Sequence, residues 1–241
     1  ERMLPETMPV CPVRGSVIYP TMVMPIDAGR PISIRAIDEA LARDRVLLIV
    51  SQRDKEVETP RPSDLFEVGT ACNILKMRKN PDGSVQVLVQ AFARVRVREW
   101  LDLGDHLEAR GEVLADEPGE PILVKALVRE VKDKFQALLK EGKYLAPEVA
   151  QFILNLEDPS QLADYVAFHM AFRLEDKQKV LETANVAERL RAVLVLLEAE
   201  LALIETQRRI QQQVKEEIDR NQREYFLREQ MKAIQRELHG E

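Results

Sequence analysis

The residues in this chain that could do chemistry are few and scattered. A phosphate-binding loop needs glycines for close backbone approach, followed by Lys and Ser or Thr for phosphate and magnesium. The one Gly-Lys pair, Gly142-Lys143, runs into Tyr144 and lacks the upstream glycine. The three histidines, His106, His169 and His239, stand far apart with no Cys-x-x-Cys or His-x-x-x-His companion. A zinc site needs three or four convergent ligands. The serines have no nucleophile-elbow context. Cys11 and Cys72 are too few for a disulfide framework and read as buried thiols in a reducing cytoplasm. The expectation is a chain with no catalytic, cofactor or metal residues of its own, one that works by binding.

Composition narrows what it could bind. The 241 residues are 45% apolar and 32% charged, with net charge −6, which disfavours nucleic acid as an overall partner. No apolar run approaches the ~20 residues that span a bilayer. The chain opens on Glu1 rather than Met, which suggests a trimmed piece.

The elements that would position a binding surface fall into two chemical halves. All 13 prolines lie at or before Pro159, and from Ser160 to His239 there is neither Gly nor Pro. Only helix tolerates so long a stretch without punctuation. Residues 1–115 carry 16 basic and 17 acidic side chains and the remainder 19 and 24, so the acidity sits in the helical half. In the front half, "RVLLIVSQ" (Arg45–Gln52) reads as a buried strand. "GTACNILKMRKN" and "SVQVLVQAFARVRVREW" flank Asn80-Pro81-Asp82-Gly83, a turn in which Pro presets φ and Gly accepts a positive one. That predicts a long antiparallel hairpin with Val85, Val87, Val89 and Ala91 on one face. "HLEARGEVLADE" supplies another strand, and "SIRAIDEALARD" a short helix with Ser33 as N-cap and Ile34, Ile37 and Leu41 inward. Several strands and one helix suggest a small barrel or paired sheets.

Beyond the boundary "DEPGEP", Pro121 suits the first turn of a helix, and Leu123, Leu127, Val131, Phe135 and Leu138 follow at helical spacing. Asp158–Gln161 and Asn185–Glu188 fit the capping-box pattern. The last helix, from about Val186 to Leu238, would be roughly 80 Å long. Its first third carries Leu190, Leu194, Leu197, Leu201 and Ile204 as a packing stripe. Ile210, Val214 and Ile218 are then isolated among polar residues, and Leu227, Met231, Ile234 and Leu238 restore a stripe at the end. A polar stretch in a long helix bridges bodies or leans weakly on another helix. The terminal stripe therefore expects a partner, either a following domain or another subunit.

The chain resembles the N-terminal region of the bacterial-type Lon ATP-dependent protease. That family's Pro-Leu-Arg-Gly, Phe-Pro-Gly, Pro-Leu and Gly-Arg motifs stand here as "CPVRGSVIYPTMVMPIDAGRPIS", with Val13, Tyr19, Thr21 and Ile26 at the departures. Thr21 replaces a glycine, so the local turn could differ. "DPSQLADYVA", "KQKVLETANVAERL" and "YFLREQMKAIQREL" match the helical part, and His239 intervenes before the usual Gly-Glu, here Gly240-Glu241. The resemblance implies an α+β fold: a PUA-like β-barrel with one short helix (1–117), a helical bundle (118–185) and a very long helix (186–241) leading toward an AAA+ module. It also implies that ATP and magnesium binding, the Ser-Lys protease chemistry and the hexamer belong to a longer cytoplasmic protein of the stress response and protein quality control.

The candidate binding residues follow. "YPTMVMPI" carries two of the seven methionines. Met suits promiscuous apolar recognition, and unfolded or degron-bearing proteins share exposed apolar segments. The simpler reading is barrel core. Tyr19, Pro20, Met22 and Met24, with Ile34 and Ile37 on the adjacent helix, are the expected substrate contacts. Ile218, Tyr225, Leu227, Met231, Ile234 and Leu238 are the expected contacts to other domains or subunits, in a coiled-coil arm. Arg94, Arg96 and Arg98 share a strand face, with Lys76 and Arg78 on the strand before. They keep an RNA-binding module open as a rival, although no aromatic stacking platforms interleave them. A free-standing adaptor is a second rival, against which "LREQMKAIQREL" speaks, since an adaptor needs no ring-entry helix.

Overall fold

The structure is a computed structural model and describes residues 4–142 and 145–240, without the side chain of His239. Lys143, Tyr144 and Glu241 lie outside the described residues, as does Glu1. Two compact units divide the chain, the first running to Leu196 and the second from Leu197.

In the first unit, six strands come first: β1 (Met8–Val13), β2 (Val23–Ala28), β3 (Val46–Ser51), β4 (Val68–Lys79), β5 (Val85–Asp102) and β6 (Leu107–Val113). They run in the order β2-β5-β4-β3-β1-β6, and β5 also pairs β6, which closes the sheet on itself. All neighbours are antiparallel except β1 and β3. β3 is buried along its whole length, and its alternation feeds two cores. Leu47 and Ile49 join Cys11, Cys72, Ile74, Val85, Val87, Val89 and Ala91 beneath helix α1 (Pro31–Ala42), while Leu48 and Val50 join Val10, Leu65, Ala71, Val95 and Leu107. Gly69 in β4 is required by close approach, because a Cβ there would sit 2.5 Å from Ile49 O.

The hairpin forms as its residues predict. Asn80 N donates to Ser84 O at 2.8 Å, and Gly83 takes φ +85°. Helix α1 begins earlier than the sequence suggests. Arg30 is the N-cap, Pro31 opens the first turn, and Ser33 lies inside the helix and is buried. Proline's fixed φ starts the helix where its missing N–H is not needed, so the serine has no cap to make. Thr21 occupies a left-handed conformation, φ +71°, between two backbone bonds to Ala91. A β-branched residue is strained there. Thr21→Gly is expected to raise stability by up to about 1 kcal/mol in urea unfolding, because relief of strain exceeds glycine's entropy cost.

Helices α2 (Pro121–Glu141), α3 (Pro147–Leu154), α4 (Pro159–His169), α5 (Leu174–Glu182) and the start of α6 (Val186–His239) complete the unit. Glu120 caps α2, Asp158 caps α4 through Gln161 N, and Asn185 Oδ1 accepts from Glu188 N. The α2 stripe is buried at Leu127, Val131, Phe135 and Leu138, and α2 packs on α3 and α4, where Ile153, Leu162 and Val166 are also buried.

In the second unit α6 continues to His239; Leu197 is buried, Leu201 and Ile204 are half-buried, and the apolar side chains from Ile210 onward are exposed.

Candidate functional site

The junction between barrel and bundle is built from charge. Arg94 on β5 is buried, and its Nη2 donates to both carboxylate oxygens of buried Asp164 on α4, at 2.5 and 2.6 Å. Its Nε donates to Leu181 O on α5, and its Nη1 to Asp116 in the segment after β6. Arg189, in the first turns of α6 and fully buried, donates to Asp116 at 2.7 Å, to Ser160 Oγ at 2.6 Å and to the Thr183 and Ala184 carbonyls. Two cations and two anions balance, and the carbonyls take up the remaining donors, which is the condition under which buried ions hold. Burial pushes the Asp164 carboxyl up to about 6, against the pull of Arg94 and Arg189. Tyr19 Oη donates to Lys177 O, and Gln178 Nε2 donates to Val68 O, adding two more ties between barrel and α5.

This corrects the basic strand face. Arg94 does not share a solvent-facing row with Arg96 and Arg98, because its guanidinium is enclosed by carboxylates 22 and 70 residues away in sequence. Arg98 pairs with Glu112, and Lys76 and Arg78 remain exposed.

The apolar segment is also rearranged. Tyr19, Met22 and Ile37, expected at a binding surface, are core residues at 0%, 4% and 0% exposure. Pro20, Met24 and Ile34 are half-buried, the last two packed against the α1 core. On β2 the alternation runs with Met24, Ile26 and Ala28 inward, which turns Val23 (54% exposed) and Pro25 outward. The register sets Pro25 opposite half-buried Leu88 of β5 and Val23 opposite Gln90. On β4, Leu75 falls at the bulge between Ile74 and Lys76 and is exposed. The surface that remains is therefore Val23, Pro25, Leu88 and Leu75, with the edges of Met24. Period-2 alternation in "TMVMPIDA" was the signal for it, but the sequence does not say which phase faces in.

In the second unit, Ile218, Tyr225, Leu227, Met231, Ile234 and Leu238 are all exposed, as is Phe226, which the stripe pattern omitted. Among the described residues no group of His, Cys, Asp and Glu is arranged to hold a metal ion. His106 lies between Asp105 and Glu108, and Glu108 in turn takes an ion pair at 2.8 Å from Arg43 at the end of α1. No helix of the described residues is long and apolar enough to cross a membrane.

Residues 7–199 match the family model of the ATP-dependent protease La (LON) substrate-binding domain. The chain belongs to the LON substrate-binding domain family. It is 41% identical over 231 residues to the Lon protease of Escherichia coli K12, covering 96% of this chain and 30% of that protein. It is 37% identical over 238 residues to the Lon protease of Brevibacillus choshinensis, covering 99% and 31%. The chain thus spans about three-tenths of the length of these relatives. The N-terminal domain of a Mycobacterium avium complex Lon protease superposes with TM-score 0.66 at 26% identity, over 80% of this chain and 98% of that one. The Lon N-terminal domain protein of Xanthomonas campestris, at 12% identity, shares the fold with TM-score 0.53. The matched residues take in the closed sheet, the helices on its flank and the charged junction.

Proposed function

We propose that this chain is the substrate-recognition and assembly region of a Lon-type ATP-dependent serine protease. The observation that carries the reading is the family match over residues 7–199. In this reading the first unit catches unfolded or degron-bearing proteins through Val23, Pro25, Leu88 and Leu75, with Pro20, Met24 and Ile34 at the margin. Ile218, Tyr225, Leu227, Met231, Ile234 and Leu238 meet the AAA+ module or a neighbouring subunit in a homohexamer. ATP, magnesium and the Ser-Lys dyad act elsewhere in the full-length cytoplasmic protein, and this region supplies no catalytic group. Withdrawal of Arg94 into the junction removes the centre of the rival RNA surface.

The test is a binding measurement by fluorescence anisotropy, using one labelled protein in its native form and in a form held unfolded. The expected result is binding of the unfolded form alone, weakened about tenfold or more by Val23→Asp, since a charge in an apolar contact costs at least ~1.4 kcal/mol. Equal binding of both forms, or of neither, contradicts the proposal.

A further inference from the structure

One cleft on the first unit has a lining dominated by charged side chains. It has a volume of about 480 Å³ and is lined by Arg53, Phe66, Glu67, Arg96, Arg98 and Glu182, with Val68 at its wall. We propose that it is a docking site for an acidic side chain of an extended polypeptide, gripped by Arg53 and Arg96. This rests on the reading of the chain as a substrate-binding module and names a feature of the substrate.

Arg53 is held before any ligand arrives. Its backbone N donates to Asp64 O at 2.8 Å, its Nε donates to Leu65 O at 3.1 Å, and its guanidinium lies 4.6 Å from the centroid of the Phe66 ring. Those contacts use the Nε side and one face of the plane. The terminal nitrogens are left without a carboxylate among the described residues. Arg96 stands on β5 between Val68 of β4 and Glu112 of β6, and it too has no ion-pair partner among the described residues. Glu112, its cross-strand neighbour, is hydrogen-bonded to Arg98 and is attracted by the Arg96 charge as well, without a direct ion pair to Arg96. Two guanidinium groups, Arg53 in the segment after β3 and Arg96 on β5, thus line one cleft without a direct carboxylate partner of their own. Planar guanidinium recognises carboxylate by paired hydrogen bonds, and a held side chain loses less entropy on binding.

The same lining chooses between anions. Glu67 and Glu182 enter the cleft, and Glu182 is fixed by Gln178 Nε2 at 2.9 Å. A polyanion such as RNA would set successive phosphates against these carboxylates. A polypeptide with one acidic side chain places that group on Arg53 and Arg96 and offers backbone N–H donors to Glu67 and Glu182. The cleft therefore matches an acidic residue in an extended chain, a feature distinct from the apolar surface at Val23 and Pro25.

The experiment titrates the isotope-labelled 241-residue chain with two short synthetic peptides of equal apolar content, one carrying Asp and Glu and the other Asn and Gln at the same places. A single-stranded RNA oligonucleotide is the third probe. The acidic peptide is expected to shift the amides of Phe66, Val68 and Arg96 and to bind about tenfold tighter than its neutral twin, a charge-assisted pair's contribution. Arg53→Gln and Arg96→Gln each remove that preference and leave the neutral peptide's affinity unchanged, whereas Glu67→Gln strengthens the preference. If the neutral peptide binds and the acidic one gains nothing, the cleft proposal is overturned while substrate recognition stands. If neither peptide binds, both readings fall. If the oligonucleotide shifts the same amides at lower concentration than the acidic peptide, the cleft is a nucleic-acid site and the proposal is overturned.

Discussion

Asp164→Ala lowers the stability of the first unit by about 3–5 kcal/mol, because it strands buried cations whose anion is gone. Arg94 gives both of its closest bonds to this carboxylate, and Arg189 approaches it at 3.9 Å. Both guanidinium groups are buried, and Asp116 alone cannot balance both. The damage is directional, since the cluster joins β5 to α4 and to the start of α6. Urea unfolding followed by the fluorescence of the single tryptophan, Trp100 on β5, reports the barrel, and helical circular dichroism reports the bundle together with the rest of α6. The two transitions coincide in the parent and separate in the variant. A loss below about 1 kcal/mol, the range of an exposed ion pair, would refute the assignment of this cluster as the junction. Replacing Arg94, Asp116, Asp164 and Arg189 together by apolar residues of similar volume costs far less than the single change, since no charge is then left unpaired.

Phe135→Ala costs a similar amount, about 3–5 kcal/mol, for a different reason. Phe135 is fully buried on α2, with Val131 and Leu138 beside it on the same face. Removing the ring leaves a cavity that neighbours fixed on other helices fill only in part, so transfer and cavity terms add. Ile218→Ala, by contrast, stays within about 0.5 kcal/mol, because a half-exposed side chain on a helix face without packing has little burial to lose. Paired chemical-denaturation curves check both. Equal losses at the two positions would mean that α6 beyond Leu197 is packed rather than free.

Local chemistry was legible in the sequence and long-range pairing was not. The turn at Asn80–Gly83, the proline start of α2 and the caps at Asp158 and Asn185 each depend on neighbours within four residues. The missed cap at Ser33 was also local: Pro31 two residues earlier was the stronger signal. The candidate site depends on more. Arg94 looked solvated because its anions lie far along the chain, where no spacing rule points to them. Met22 and Met24 looked available because alternation defines two faces without saying which one the closing barrel encloses. The long helix and its exposed terminal stripe were readable, because eighty residues free of Gly and Pro admit little else and the stripe had nothing nearby to pack on.

We propose that the first unit reads exposed apolar polypeptide on the outer face of β2. The most direct measurement is an amide NMR titration of the isotope-labelled chain, first with a protein held unfolded and then with the same protein folded. Shifts with the unfolded form alone, centred on Val23, Met24, Pro25-flanking amides, Leu88 and Leu75, are the expected result. No shift with either form, or equal shifts with both, would remove direct recognition from this region and leave it a spacer and assembly element.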